Sequence, residues 1–104
     1  MRTILIAALL LFPQQSAQLQ IAVTVHGVVL SWQASTSAGV TNYNVYRGSQ
    51  TGGPYTKIGN VTTVTYSDGC GATGTTCFYV VTALDAAGDE SAYSNEVSAT
   101  IPSQ

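Results

Sequence analysis

The side chains of this chain that could do chemistry are few: Cys70 and Cys77, the single imidazole of His26, and five carboxylates, three of them crowded at Asp85, Asp89 and Glu90. Two thiols and one distant histidine supply at most three ligands, where structural zinc takes four. No serine or cysteine near His26 forms a nucleophile motif, and the histidine falls at a turn between two apolar stretches, so general-base chemistry has no partner. The acidic cluster has the oxygen chemistry of calcium, but its spacing fits no EF-hand loop and reads as a solvated turn. Asn60-Val61-Thr62 matches the N-glycosylation acceptor pattern, which matters only where that machinery exists. These residues point away from an enzyme, and no cofactor or metal is expected.

The thiols are better explained by the compartment. Arg2, an apolar stretch from Ile4 to Phe12 and the polar Pro13 to Gln18 have the layout of a secretory leader. Roughly nine apolar residues are too few to span a bilayer, so membrane contact is expected only transiently, through the leader. Cleavage after Ala17 is the favoured site, leaving a leader at 1–17 and one domain at 18–104. The chain ends just past its last apolar run, as a self-contained exported product would. Export puts Cys70 and Cys77 in an oxidising environment, where a disulfide is the expected outcome. The product is expected outside the cell, at its surface or in a periplasm.

Composition narrows the partners. The 104 residues include 8% charged side chains and carry a formal net charge of −2, nearer −3 without Arg2. Nucleic acid is therefore not an expected ligand. Solubility must come from the many Thr, Ser, Gly and Asn residues. A mature chain of about 85 residues is near the lower end of what one core stabilises alone.

The elements that position these residues are short strands. Leu19 to Thr24 is the first, and His26-Gly27 turns into Val28 to Trp32, where Val28, Leu30 and Trp32 share one face by the period of two. After a polar loop, Tyr43 and Val45 point one way and Asn44 and Tyr46 the other. The glycines and proline of the segment Arg47 to Pro54 rule out a central strand, and it reads as a loop. Tyr55 to Ile58 and Val61 to Tyr66 are further strands, the second closed by a turn at Ser67-Asp68-Gly69. Cys77, Tyr79, Val81 and Ala83 alternate inward along Thr76 to Asp85, and Tyr93 to Ile101 completes a set of seven. Seven short strands at this spacing indicate an all-β sandwich.

Trp32, the run Tyr43-Asn44-Val45-Tyr46-Arg47, the run Tyr79-Val80-Val81-Thr82-Ala83 and Ser91-Ala92-Tyr93-Ser94-Asn95-Glu96-Val97 occur in the order of the B, C, F and G strands of fibronectin type III modules, which the chain resembles from Leu19 to Ile101. The resemblance implies an immunoglobulin-like seven-stranded β-sandwich. It also locates a departure: six residues before Ala83, where the family has its tyrosine corner, stands Cys77. The expectation is that the disulfide replaces that hydrogen-bonded corner with a covalent clamp. The C and F strands are neighbours in this fold, so Tyr46, Phe78 and Val80 should form an outward apolar patch flanked by Tyr55 and Tyr93. The integrin-binding triplet of some members is absent, the corresponding turn reading Ala87-Gly88-Asp89. The leading expectation is a secreted, non-catalytic protein-interaction or adhesion module. The alternatives are a carbohydrate-binding accessory domain, marked by a planar row of Tyr46, Phe78 and Tyr55, and a self-assembling structural subunit with exposed strand edges. The partner is thus a protein, a glycan or a second copy.

Overall fold

β-branched and aromatic residues at alternate positions give each strand one apolar face, and two such faced sheets close on each other. The computed structural model of the protein describes residues 4–7, 19–24, 27–35 and 39–103. Its strands are β1 (Ile4–Ala7), β2 (Leu19–Thr24), β3 (Gly27–Trp32), β4 (Val40–Gly48), β5 (Tyr55–Val61), β6 (Thr65–Asp68), β7 (Thr76–Asp85) and β8 (Val97–Thr100). They form two antiparallel sheets, ordered β1-β2-β3-β6 and β5-β4-β7-β8. From β2 onward these are the seven strands of the expected sandwich.

β1 lies within the segment read as an export leader and pairs along the outer edge of β2, from Ile4 opposite Val23 to Ala7 opposite Gln20. The expected cleavage position and His26 fall outside the described residues. No helix among the described residues is long and apolar enough to cross a membrane.

The inward faces are those the period of two requires. Val28, Leu30 and Trp32 from β3 meet Tyr43 and Val45 from β4 and Cys77, Tyr79, Val81 and Ala83 from β7 in one buried cluster. Trp32 packs edge-on against Tyr43, with ring centroids 5.6 Å apart.

Three expected boundaries differ. Arg47 and Gly48, expected in a loop, belong to β4 in the interior of its sheet, because they pair with Tyr79 and Phe78 of β7. The strand expected at Val61–Tyr66 is split: β5 runs on to Val61, and β6 starts at Thr65 and continues through Asp68 into what reads as a turn. Between them the Trp32 amide donates to the Val64 carbonyl at 3.0 Å, pulling the chain across to β3. The strand expected at Tyr93–Ile101 shortens to Val97–Thr100. Residues 91–96 are held by side chains instead of a regular ladder, and that exchange builds the face described next.

Candidate functional site

Ser91 and Ser94 dock beside β7 by reciprocal bonds. The Ser91 amide donates to the Ala83 carbonyl, and the Ser94 amide to the Val81 carbonyl, both at 2.9 Å. In return the amides of Ala83 and Val81 donate to the two serine hydroxyls, each at 2.9 Å. A hydroxyl thus stands in for a ladder carbonyl at each anchor, and Ala92 and Tyr93 are bowed outward between them. Asn95 is buried and completes the fastening: its side-chain oxygen accepts from the Leu19 amide at 3.2 Å, and its Nδ2 donates to the Leu19 carbonyl at 3.1 Å. This joins the second sheet to β2 of the other.

Glu90, Tyr93 and Glu96 then reach across β7 to β4 and β5. The Tyr93 ring meets Tyr46 and Tyr55 edge-to-face, both centroid distances 5.2 Å, with interplanar angles of 74° and 75°. The Tyr46 hydroxyl donates to Glu90 and the Tyr55 hydroxyl to Glu96. Glu90 Oε2 also accepts from Asn44 Nδ2 at 3.1 Å and from the Thr82 hydroxyl at 2.5 Å. Behind Asn44 runs an amide relay: Asn42 Nδ2 donates to Asn60 Oδ1 at 2.9 Å, and Asn60 Nδ2 to Asn44 Oδ1 at 2.8 Å. Glu96 is held by the Thr51 hydroxyl at 2.7 Å and the Gly52 amide at 2.8 Å.

Burial alone would favour the protonated acid, but the bonds from Thr82, Tyr46 and Asn44 outweigh it and hold Glu90 below the usual carboxylate range. Burial opposes ionisation of Glu96 likewise, and Tyr55, Thr51 and Gly52 lower it. Burial, reinforced by the bond to Glu96, pushes the Tyr55 phenol up to about 12. Both carboxylates are therefore charged acceptors near neutral pH.

Of the residues expected in an apolar patch, Tyr46, Tyr55 and Tyr93 come together. Val80 is corrected: it faces this side, but it lies opposite Tyr46 and beneath the crossing side chains, and is only 2% exposed. Phe78 is half-buried between Gly48 and Ser98 on the neighbouring strands. The expected planar row of Tyr46, Phe78 and Tyr55 gives way to rings alternating near perpendicular about Tyr93. The face is consequently polar and aromatic, where the alternation alone predicted an apolar one. Asn42, Asn44, Asn60, Thr82, Glu90 and Glu96 were missed as parts of it. Alternation along β4 puts Asn44 beside Tyr46, but no local signal pairs Glu90 with either.

The other chemical residues have structural roles. Cys70 and Cys77 form a disulfide joining the segment after β6 to the start of β7, with Cα atoms 6.0 Å apart. The clamp is not alone there. The Tyr79 hydroxyl, two residues along β7, donates to Asp68 Oδ2 at 2.6 Å, and Asp68 also accepts from Arg47 Nη1 at 2.9 Å and the Cys70 amide at 3.1 Å. Burial favours the neutral form of Asp68, but Tyr79 and Arg47 hold its carboxyl below the ordinary range. Asp85 Oδ1 accepts from the amides of Ala87 and Asp89 within its own turn, while Glu90 turns away onto the sheet, so the acidic cluster is divided. Among the described residues no group of three His, Cys, Asp or Glu could hold a metal ion. Asn60 lies within β5 with its amide engaged by Asn44, a poor position for glycan transfer.

Comparison with known proteins agrees with this architecture. No family model matches the sequence. The chain is 46% identical over 89 residues to an amylopullulanase of Thermoanaerobacter thermohydrosulfuricus, covering 84% of this chain and 6% of that enzyme. It is 42% identical over 82 residues to exoglucanase B of Cellulomonas fimi, covering 75% and 7%, and 43% identical over 84 residues to chitinase A1 of Niallia circulans, covering 79% and 11%. The chain therefore spans only a small part of the curated relatives it matches. Among solved structures, an Fn3-like protein from Clostridium thermocellum superposes with a TM-score of 0.64 at 38% identity, covering 76% of this chain and 80% of that one. Since that match takes in four fifths of an Fn3-like protein at this identity, the chain belongs to the fibronectin type III family.

Proposed function

We propose that this protein is a secreted, non-catalytic accessory module that contacts a glycan polymer through the outer face of the β5-β4-β7-β8 sheet. The observation that carries this reading is the composition of that face: tyrosine rings, a relay of side-chain amides and two carboxylates held by tyrosine hydroxyls. Sugar recognition uses these groups, since ring faces pack on the apolar side of a pyranose while amides and carboxylates meet its hydroxyls. The relatives support it, being small portions of enzymes named amylopullulanase, exoglucanase and chitinase. The disulfide supports an oxidising compartment.

The test is retention of the purified domain on insoluble starch, cellulose and chitin against a non-binding protein of similar size. Retention on at least one polymer, reversed by its soluble oligosaccharide, is the expected result. Failure on all three would return the face to the protein-interaction reading, which the exposure of Tyr93 also favours.

A further inference from the structure

Beside the contacting Tyr46–Tyr93 pair the outer face is indented by a groove of about 330 Å³, lined by Tyr46, Thr82, Glu90, Ser91, Ala92 and Tyr93. Small-molecule sites run from about 300 to 1,000 Å³, so this groove has room for one ring and not for a long oligomer. Tyr93 forms one wall and is 46% exposed, unusually open for a large side chain in this protein. It is held out by the serine anchors on either side, which fixes the backbone beneath it.

The carboxylate beside it is bonded unevenly by the described residues. Every hydrogen bond that Glu90 receives from the described residues ends on Oε2, from Asn44, Tyr46 and Thr82. Oε1 is thus oriented by its fixed twin and carries none of those three bonds. An ionised carboxylate accepts only, so its complement is a donor such as a hydroxyl. Its charge disfavours anionic ligands such as uronates or phosphates.

Ring geometry limits the ligand further. Tyr46 and Tyr55 stand at 74° and 75° to Tyr93, so the three rings make no flat platform for a crystalline polymer surface. Tyr46 and Tyr93 touch edge-to-face with centroids 5.2 Å apart, so they do not face each other across a gap as the walls of an aromatic cage around a quaternary ammonium would. We propose that this groove is a subsite for a single neutral pyranose unit of a flexible glycan chain, with Tyr93 as the stacking face and Glu90 Oε1 as the acceptor of a sugar hydroxyl. This rests on the glycan-contacting reading above and assigns it to one place and one mode.

The experiment is an amide-resolved NMR titration of the intact domain with soluble gluco-oligosaccharides and N-acetylglucosamine oligosaccharides, with tetramethylammonium as a competing probe. Saturable shifts confined to residues around 46, 82 and 90–93 are expected. Affinity should fall at least tenfold in Tyr93→Ala, recover in Tyr93→Trp, and fall likewise in Ala92→Trp, which fills the groove from an exposed position. Glu90→Gln should weaken binding and flatten its dependence on acid pH. Shifts centred elsewhere, unchanged affinity in folded Tyr93→Ala and Ala92→Trp, or occupation of the groove by tetramethylammonium instead of sugar would each overturn the subsite. Polymer retention without groove shifts would leave the glycan reading standing and remove the subsite; loss of both would remove both.

Discussion

Asp68 shows how much one side chain can organise in a domain with so few charges. It accepts from Arg47, Tyr79 and the Cys70 amide at once, tying β4, β6 and β7 together at one end of the sandwich. Asp68, Glu90 and Glu96 all have carboxyls lowered on folding, because burial is outweighed by donated hydrogen bonds. A lowered carboxyl stabilises the fold above its unfolded value, near pH 4, and that stabilisation disappears as pH falls through the lower folded value. The melting temperature should therefore hold from neutral down to about pH 4 and then decline, an acid loss that Asp68→Asn reduces. At the alkaline end the sign reverses for Tyr55: its phenol is raised to about 12, so its stabilisation is complete below about pH 10 and is lost as pH climbs through the folded value. A calorimetric pH series would show both arms.

At the scale of elements, the connection from β6 to β7 is fastened covalently by Cys70–Cys77 and non-covalently by Tyr79 on Asp68. The chain-entropy model gives roughly 2.5 kcal/mol for closing so short a loop, which for a domain of this size corresponds to a melting shift on the order of 10 °C. Reduction with alkylation should lower the midpoint by about that much while the domain stays folded, because the hydrogen-bonded tether persists. An unchanged midpoint after verified reduction would deny the clamp a stabilising role. The bulge in the β4–β5 register between Val45 and Tyr46 is a second local device. It sets Ile58 apart from the ladder, and the Ile58 carbonyl accepts from the Tyr66 hydroxyl of the opposite sheet at 2.8 Å. Gly59 beside it makes room, since a Cβ there would come within 2.5 Å of the Tyr66 ring.

At the scale of the whole molecule, removal of the leader would change an exposed sheet edge. β1 occupies the free edge of β2, and its residues belong to the segment read as a leader. Export with cleavage near Ala17 would remove that strand and bare the β2 edge, a template for pairing with another chain. The expected outcome is an exported protein shortened by about 17 residues. Its mass should be lower by two hydrogens for the disulfide, and it should elute as a monomer. Intact-mass analysis beside a sizing series checks this. A species growing with concentration would favour the self-assembling subunit, and a retained leader would overturn the cleavage.

Strand alternation was readable from the chain because a period of two forces Trp32, Tyr43, Val45, Tyr79 and Val81 to one side wherever the strands run straight. The disulfide followed from two cysteines in a chain read as exported. The character of the outer face was not readable in the same way. Alternation says that Val80 and Tyr46 point outward, but not what lies above them. Glu90, Tyr93 and Glu96 are separated from their partners by 8 to 47 residues of sequence, and they meet them only because Ser91, Ser94 and Asn95 fasten the chain beside β7 and to Leu19. Local periodicity fixes which side of a strand a residue faces; only the packing of distant segments determines whether that side is open, covered or built into a site.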